Sequence, residues 1–315
     1  MRTSLAATIL LLAAAACASA GDVAPGGAAA GDAAAPGGQP PAVLTPDPDW
    51  NACITITPGK PTGVCTDFGG NVVVADASPP RLIVFRGSRG CQEFQLPGDQ
   101  PAFRPCDVSI RGFFVYAVDE TDRMLLRWDS SGSYRDVLLN FEDLDTGRRI
   151  SPYGLDVDAS GRLAITDVEN HKVLVLDTYL NINVAFGNYG TFDGQFDTPL
   201  GVSFTPRGEL LVADSGNGRL QIFSDSGAHR RTVPAAGADN PMRRPRRAVA
   251  GEDGTLYVAD PVAHRVFVLP PDGGAIRAFV AEGGAFEPTD LALGRDGRLF
   301  VTDAATRSLL AFKVM

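Results

Sequence analysis

The chain has 315 residues, and Ala, Gly and Pro crowd the first fifty, so about 265 remain to fold: too many for one ordinary domain and too few for two, unless they form a barrel or a repeat array. Lys plus Arg number 28 against 37 Asp plus Glu, a net charge of −9 that argues against nucleic acid as a partner. Hydrophobic residues make up 44%, enough for a large core, which excludes disorder beyond the N-terminal stretch.

Arg2 gives a basic start, Leu5 to Ala16 an apolar run, and small residues follow. Residues 1–16 therefore read as a secretory signal, too short in its apolar part for a membrane span of ~20 residues. Two cleavage readings stand. Ala14-Ala15-Ala16-Cys17 resembles a bacterial lipobox, in which Cys17 is acylated; Ala18-Ser19-Ala20 fits an ordinary signal-peptidase site, with cleavage after Ala20. Residues 17–50, rich in Ala, Gly and Pro, read as a disordered tether, long enough to span on the order of 30 Å r.m.s.. The expectation is an exported protein, lipid-anchored in the cell envelope or free as a periplasmic or secreted one.

Cys53, Cys65, Cys91 and Cys106 are an even set that an oxidising compartment pairs into disulfides. Of the three connectivities, Cys53 with Cys65 and Cys91 with Cys106 is favoured. Zinc is disfavoured because no C-x-x-C is present.

From residue 51 to 315 one pattern is written six times. Asp76, Asp119, Asp167, Asp214, Asp260 and Asp303 recur at intervals of 43, 48, 47, 46 and 43 residues. A proline stands 15 residues before each Asp, or 14 in the case of Pro105: Pro61, Pro105, Pro152, Pro199, Pro245 and Pro288. Six or seven residues before each Asp lies a glycine (Gly70, Gly112, Gly161, Gly208, Gly254, Gly297), read as a tight hairpin turn with positive φ. Four or five residues after it comes a cation: Arg81, Arg123, Lys172, Arg219, Arg265 or Arg307. Two β-rich runs flank the glycine and a third follows the cation. A weaker fourth lies at Gln92 to Leu96, Tyr134 to Leu139, Asn183 to Phe186, Arg231 to Pro234 and Arg277 to Ala281. The predicted fold is all-β, a six-bladed β-propeller of four-stranded antiparallel blades. Because the last repeat stops after its third strand, an N-terminal strand, Cys53 to Thr57, is expected to complete it and close the ring.

Phe186-Gly187-Asn188-Tyr189-Gly190, Gly194-Gln195-Phe196-Asp197-Thr198-Pro199 and Val212-Ala213-Asp214-Ser215-Gly216-Asn217-Gly218-Arg219 resemble the NHL repeat, and the resemblance extends over essentially all of 51–315. Repeats one, two and six lack the Asn before the cation. The resemblance implies a binding module for a protein, a peptide or an envelope polymer. The alternative is a propeller enzyme, a lyase or hydrolase working at the channel mouth. Some similar propellers hold zinc with channel histidines, but His171, His229 and His264 fall in turns here, so neither a metal nor a cofactor is expected.

The six Asp and six cations read as structural pairs at the turns, worth ~0–1 kcal/mol each if exposed. Asp156 to Asp167 mimics a calcium-binding loop, a reading the repeat register rejects, since Gly161 belongs to a hairpin and Asp167 ends the next strand. The binding candidates are Arg243, Arg244, Arg246 and Arg247, on the loop face of the six Asp turns, with Asp107, Tyr153 and Asp290 beside them at the channel rim. An arginine fork there suits a carboxylate or phosphate; internal pairing of the arginines with Asp290 is the competing reading.

Overall fold

The computed structural model describes residues 44–51, 57–94, 103–144, 146–234, 240–281 and 285–314. Cys17, the signal segment and Cys53 lie outside them. Six four-stranded antiparallel sheets are arranged as blades. The inner strands are Pro61–Thr66, Pro105–Arg111, Pro152–Val157, Pro199–Phe204, Arg247–Ala250 and Pro288–Leu293, and they touch one another in order around a central channel. Blade by blade, the second strands end on the repeated Asp, or one residue past it in the first blade, and the third strands begin at or next to the cation. Outer strands run Cys91–Glu93, Tyr134–Asn140, Ile182–Phe186, His229–Val233 and Arg277–Phe279.

The second strands are buried along nearly their whole length, as in Leu163–Asp167 and Leu210–Asp214, because each sheet is covered by a blade on either face. Between blades three and four, for example, Val173, Phe196, Val202 and Phe223 form one apolar layer, and each of the other seams has its counterpart. All six hairpin glycines adopt positive φ, from +59° at Gly112 to +90° at Gly254, as the sequence predicts.

The ring closes by an N-terminal strand, but it is Leu44–Pro46 rather than Cys53 to Thr57. It pairs antiparallel with the last strand, Leu44 opposite Val314 and Pro46 opposite Phe312. The folded body therefore reaches back into the stretch expected to be tether. Asp47, fully buried, follows the strand; it accepts the Trp50 N–H at 3.3 Å and the Arg298 Nε–H at 2.7 Å. Trp50, in the helical turn Pro48–Asn51, packs on Phe300 with ring centroids 4.7 Å apart.

The repeated Asp has a different task from the one expected. Each is buried, and each accepts the backbone N–H of a residue one or two before the repeat's proline: Lys60 at 2.7 Å, Arg104 at 2.9 Å, Ser151 at 3.0 Å, Asp197 at 2.8 Å, Arg243 at 2.6 Å and Glu287 at 2.8 Å. In four blades that donor directly precedes the proline, which favours an extended backbone there; in all six the Asp ties the loop arriving at a blade to the turn leaving its second strand. Only Arg81 and Arg219, five residues on and directly opposite their Asp in the ladder, add an ion pair, at 3.0 and 2.7 Å. Arg123 and Arg307, four residues on, sit instead at a positive-φ turn position, and Arg123 pairs with Glu142. Asp76→Asn turns an amide N–H₂ toward the Gly59 or the Lys60 N–H; the expected cost is about 2 kcal/mol, read as a melting point lower by about 4–8 °C in a thermal scan.

Candidate functional site

The residues two positions after the repeat's proline form a layer across the channel: Gly63, Asp107, Gly154, Gly201, Arg247 and Asp290. The ladder slips at this level in five blades, a bulge that turns these residues inward. The glycines clear the space that the charged residues fill. A Cβ on Gly201 would meet the Arg246 carbonyl oxygen at 2.4 Å and the Arg247 Cδ at 3.2 Å. Arg247, 6% exposed, reaches across the ring; its Nη1–H donates to Asp107 at 3.0 Å and to the Leu155 carbonyl at 3.1 Å, and its Nε lies 3.6 Å from Asp290. That Nε–H has no acceptor within hydrogen-bond geometry.

Each carboxylate in the channel also stitches its blade to the next. Asp107 accepts the Leu155 N–H and Asp290 the Val64 N–H, both at 2.7 Å. A third channel carboxylate, Asp156, accepts the Phe204 N–H at 2.7 Å and the Ser109 hydroxyl at 3.1 Å. Three carboxylates thus face one buried guanidinium. Burial raises Asp290 to about 7 against the opposing pull of Arg247, and raises Asp107 and Asp156 as well. Burial works against the Arg247 charge, but Asp107, Asp290 and Asp156 together hold it protonated. Among the described residues, no three His, Cys, Asp or Glu side chains come together as a metal-holding group.

The structure brings Arg246, Arg247, Asp107, Tyr153 and Asp290 together at one channel mouth, as the repeat register predicts. The mouth is nearly filled, leaving about 10 Å³, room for at most one water. Arg246 lies over the Tyr153 ring at 5.3 Å and donates to the Thr62 carbonyl at 3.2 Å. The internal pairing of Arg247 with Asp290 and a second local acid, Asp107, is therefore the arrangement present. Arg243 and Arg244 stand apart: their backbone N–H groups bind Asp260, at 2.6 and 2.9 Å, while their side chains are exposed on the surrounding face.

The cysteine pairing needs correction. Cys65 and Cys106 are buried free thiols on inner strands of neighbouring blades, and Cys106 donates to the Val118 and Tyr153 carbonyls at 3.4 and 3.3 Å. Cys91 begins the outer strand of blade one. Three strand spacings of ~4.8 Å separate an inner from an outer strand, beyond the Cα separation of about 7 Å that a disulfide bridges. The histidines are structural too: His171 Nδ1 accepts the Thr198 N–H at 3.1 Å, His264 Nδ1 lies 2.9 Å from the Phe286 carbonyl, and His229 Nε2 lies 3.1 Å from the Thr232 hydroxyl.

On the aspartate-turn face, a loop over residues 187–198 does what the sequence did not announce. Phe196 is buried, packed on Phe186 and Phe223, and pins the loop from below. Above it Tyr189 and Phe192 are held out in solvent, 67% and 77% exposed. Several bonds hold the loop backbone: Phe196 N–H donates to the Asn188 carbonyl, the Gln221 amide to the Gln195 carbonyl at 2.6 Å, Arg219 to the Phe192 carbonyl at 2.8 Å, and Asn217 to the Gly190 carbonyl at 2.9 Å. Gly218, beside Asn217, abuts the Arg243 carbonyl, so the exposed aromatics and the exposed arginines flank one turn.

At the opposite face, where the inner hairpins turn, the channel widens into a funnel of about 1000 Å³, with Arg247 between it and the closed mouth.

The NHL repeat family model matches residues 196–223, the first three strands of blade four with Phe196 at its start. Protein brain tumor of Drosophila melanogaster is 28% identical over 159 residues, which is 50% of this chain and 15% of that protein. The human E3 ubiquitin-protein ligase TRIM32 is 28% identical over 139 residues, 41% of this chain and 21% of that protein. The match thus spans about a fifth or less of these curated relatives. A gluconolactonase from Xanthomonas campestris, XC5397, shares the fold at 16% identity and a TM-score of 0.64, covering 88% of this chain and 96% of that one.

Proposed function

We propose that this six-bladed NHL-repeat propeller is a binding module that grips a protein or peptide on its aspartate-turn face. The observation that carries the reading is the pinned loop that presents Tyr189 and Phe192 to solvent, linked through the Asn217–Gly218 turn to the backbone of Arg243, which with Arg244 is exposed. Aromatic and Arg side chains dominate binding energy at protein interfaces, and a loop that is already ordered spends little entropy on docking. The two exposed guanidinium groups on the same face suit acidic residues in the partner, and steer it in spite of the net negative charge of the whole. The signal segment and the Ala/Gly/Pro-rich stretch support an exported protein, anchored through Cys17 to a membrane or released into the envelope, which puts the partner outside the cytosol.

Selection of displayed peptides on the immobilised propeller tests the reading. The expected winners combine acidic with apolar side chains, and their affinity falls about tenfold or more in a Tyr189→Ser/Phe192→Ser variant. Failure to enrich any peptide, or enrichment that survives the substitution, removes the proposal.

An enzyme at the channel mouth is the second reading. Its supporting observation is the Asp290 carboxyl near 7, in the range useful for general acid–base work. Both of its oxygens are already occupied by the Val64 and Leu291 N–H groups, which favours the binding reading.

A further inference from the structure

We propose that the funnel on the hairpin face is a second site, which binds an acidic sugar by its carboxylate. At the funnel wall, Arg295 of blade six and Arg111 of blade two both lie over the ring of Phe68 in blade one, with guanidinium carbons 3.8 and 5.3 Å from its centroid. Stacking on an aromatic face uses the flat of the guanidinium and leaves its N–H edge free, already oriented. Arg111 commits one Nη–H to the Ala159 carbonyl at 3.0 Å, and among the described residues neither arginine is ion-paired. Two guanidinium groups gathered on one ring at the funnel wall, with no carboxylate paired to either among the described residues, suit the planar oxygens of a carboxylate.

The other polar groups of the funnel select the rest of the ligand. Asp67, Asp156, Asp158, Glu252 and Asp253 line it, together with Ser109 and Ser203. These carboxylates repel a second anion and accept hydrogen bonds from hydroxyl donors. The matching molecule carries one acidic group at the mouth and hydroxyl groups along the remainder, which is the chemistry of a uronic acid or a short oligosaccharide ending in one. A funnel of about 1000 Å³ has room for several rings.

Titration calorimetry with digalacturonate, uncharged galactose and inorganic phosphate tests this on the full chain. Digalacturonate is expected to bind, about tenfold or more weakly in Arg111→Gln/Arg295→Gln, and more weakly as salt rises. Phe68→Leu keeps both charges but loses the platform, and is expected to lose part of the affinity. Tyr189→Ser/Phe192→Ser should leave sugar binding intact, which separates this site from the aspartate-turn face. Absence of digalacturonate binding, equal binding of galactose, phosphate binding as tight and as sensitive to the arginines, or full affinity in the double arginine variant each overturns the proposal.

Discussion

Replacing Arg247 with methionine lowers the melting temperature by about 10 °C at pH 8 and by much less at pH 5. Among the described residues the guanidinium is the one cation buried at the channel waist, and its removal leaves Asp107, Asp156 and Asp290 facing each other without compensation. Breaking a buried pair from one side costs about 3–5 kcal/mol, and each kcal/mol moves the midpoint of a ring of this size by about 2–4 °C. The pH term follows from the same carboxylates. Asp290 holds its proton up to about 7 in the folded chain, whereas an ordinary Asp gives it up near 3.8, so protonation favours folding between these values. Stability gained there on acidification is lost as pH rises through 7. Without Arg247 the three carboxyls are raised further, the slope steepens, and the window extends upward. At the acid end the trend reverses. Asp158 and Asp47 lie below the ordinary value because their bonds, to Ser160 and Arg162 in one case and chiefly to Arg298 in the other, outweigh burial; their stabilisation disappears as pH falls below about 4. Thermal scans across pH 3–9 of the native chain and the variant decide the matter, and a pH-independent loss would show that the waist acts by packing alone.

Deletion of residues 1–51 should be more damaging still, while deletion of 1–43 should leave the melting temperature unchanged. The longer truncation strips Leu44–Pro46 from the last strand, removes Asp47 from Arg298 and Lys313, and takes Trp50 out of the layer between blades six and one. Loss of a buried Trp alone costs about 3–5 kcal/mol, and the uncovered strand offers a free edge to other molecules. The expected result is a midpoint lower by about 15 °C with concentration-dependent association, seen by light scattering. A monomeric, fully stable 52–315 fragment would mean that the ring does not depend on this closure.

The propeller was legible because its signals are local and repeated: proline, hairpin glycine and aspartate keep their spacing whatever fills the strands. The closing strand was not, since Leu44-Thr45-Pro46 is three residues beside prolines and carries no alternation, whereas Cys53 to Thr57 alternates like a strand. Cysteines near in sequence suggested bridges; the blade assigns neighbours to inner and outer strands. Arg247 and Asp290 were found at the right place by register, but a rim position does not reveal whether a fork points at solvent or at a neighbour's carboxylate. Asp156 was seen only as a false calcium ligand, although strand alternation from Gly154 puts it on the channel side one step deeper. Tyr189 was recognised as a repeat residue and Phe192 was not singled out, and nothing in a sequence distinguishes an aromatic that is buried, like Phe196, from two that stay largely exposed.

Five of the six seams between blades carry the same bond: a hydroxyl or thiol from Thr62, Cys106, Thr166, Ser215 or Thr289 donates to a main-chain carbonyl of the following blade, at Pro105, Tyr153, Leu200, Pro245 or Pro61. The acceptor belongs to the backbone, so every repeat supplies it whatever its side chains, and the donor can be any small residue with a proton to give. A blade copied from one place in such a ring arrives already able to join its new neighbours. Duplication can therefore build the ring, and later drift, as in the first, second and last repeats, can rewrite the turns without reopening the seams.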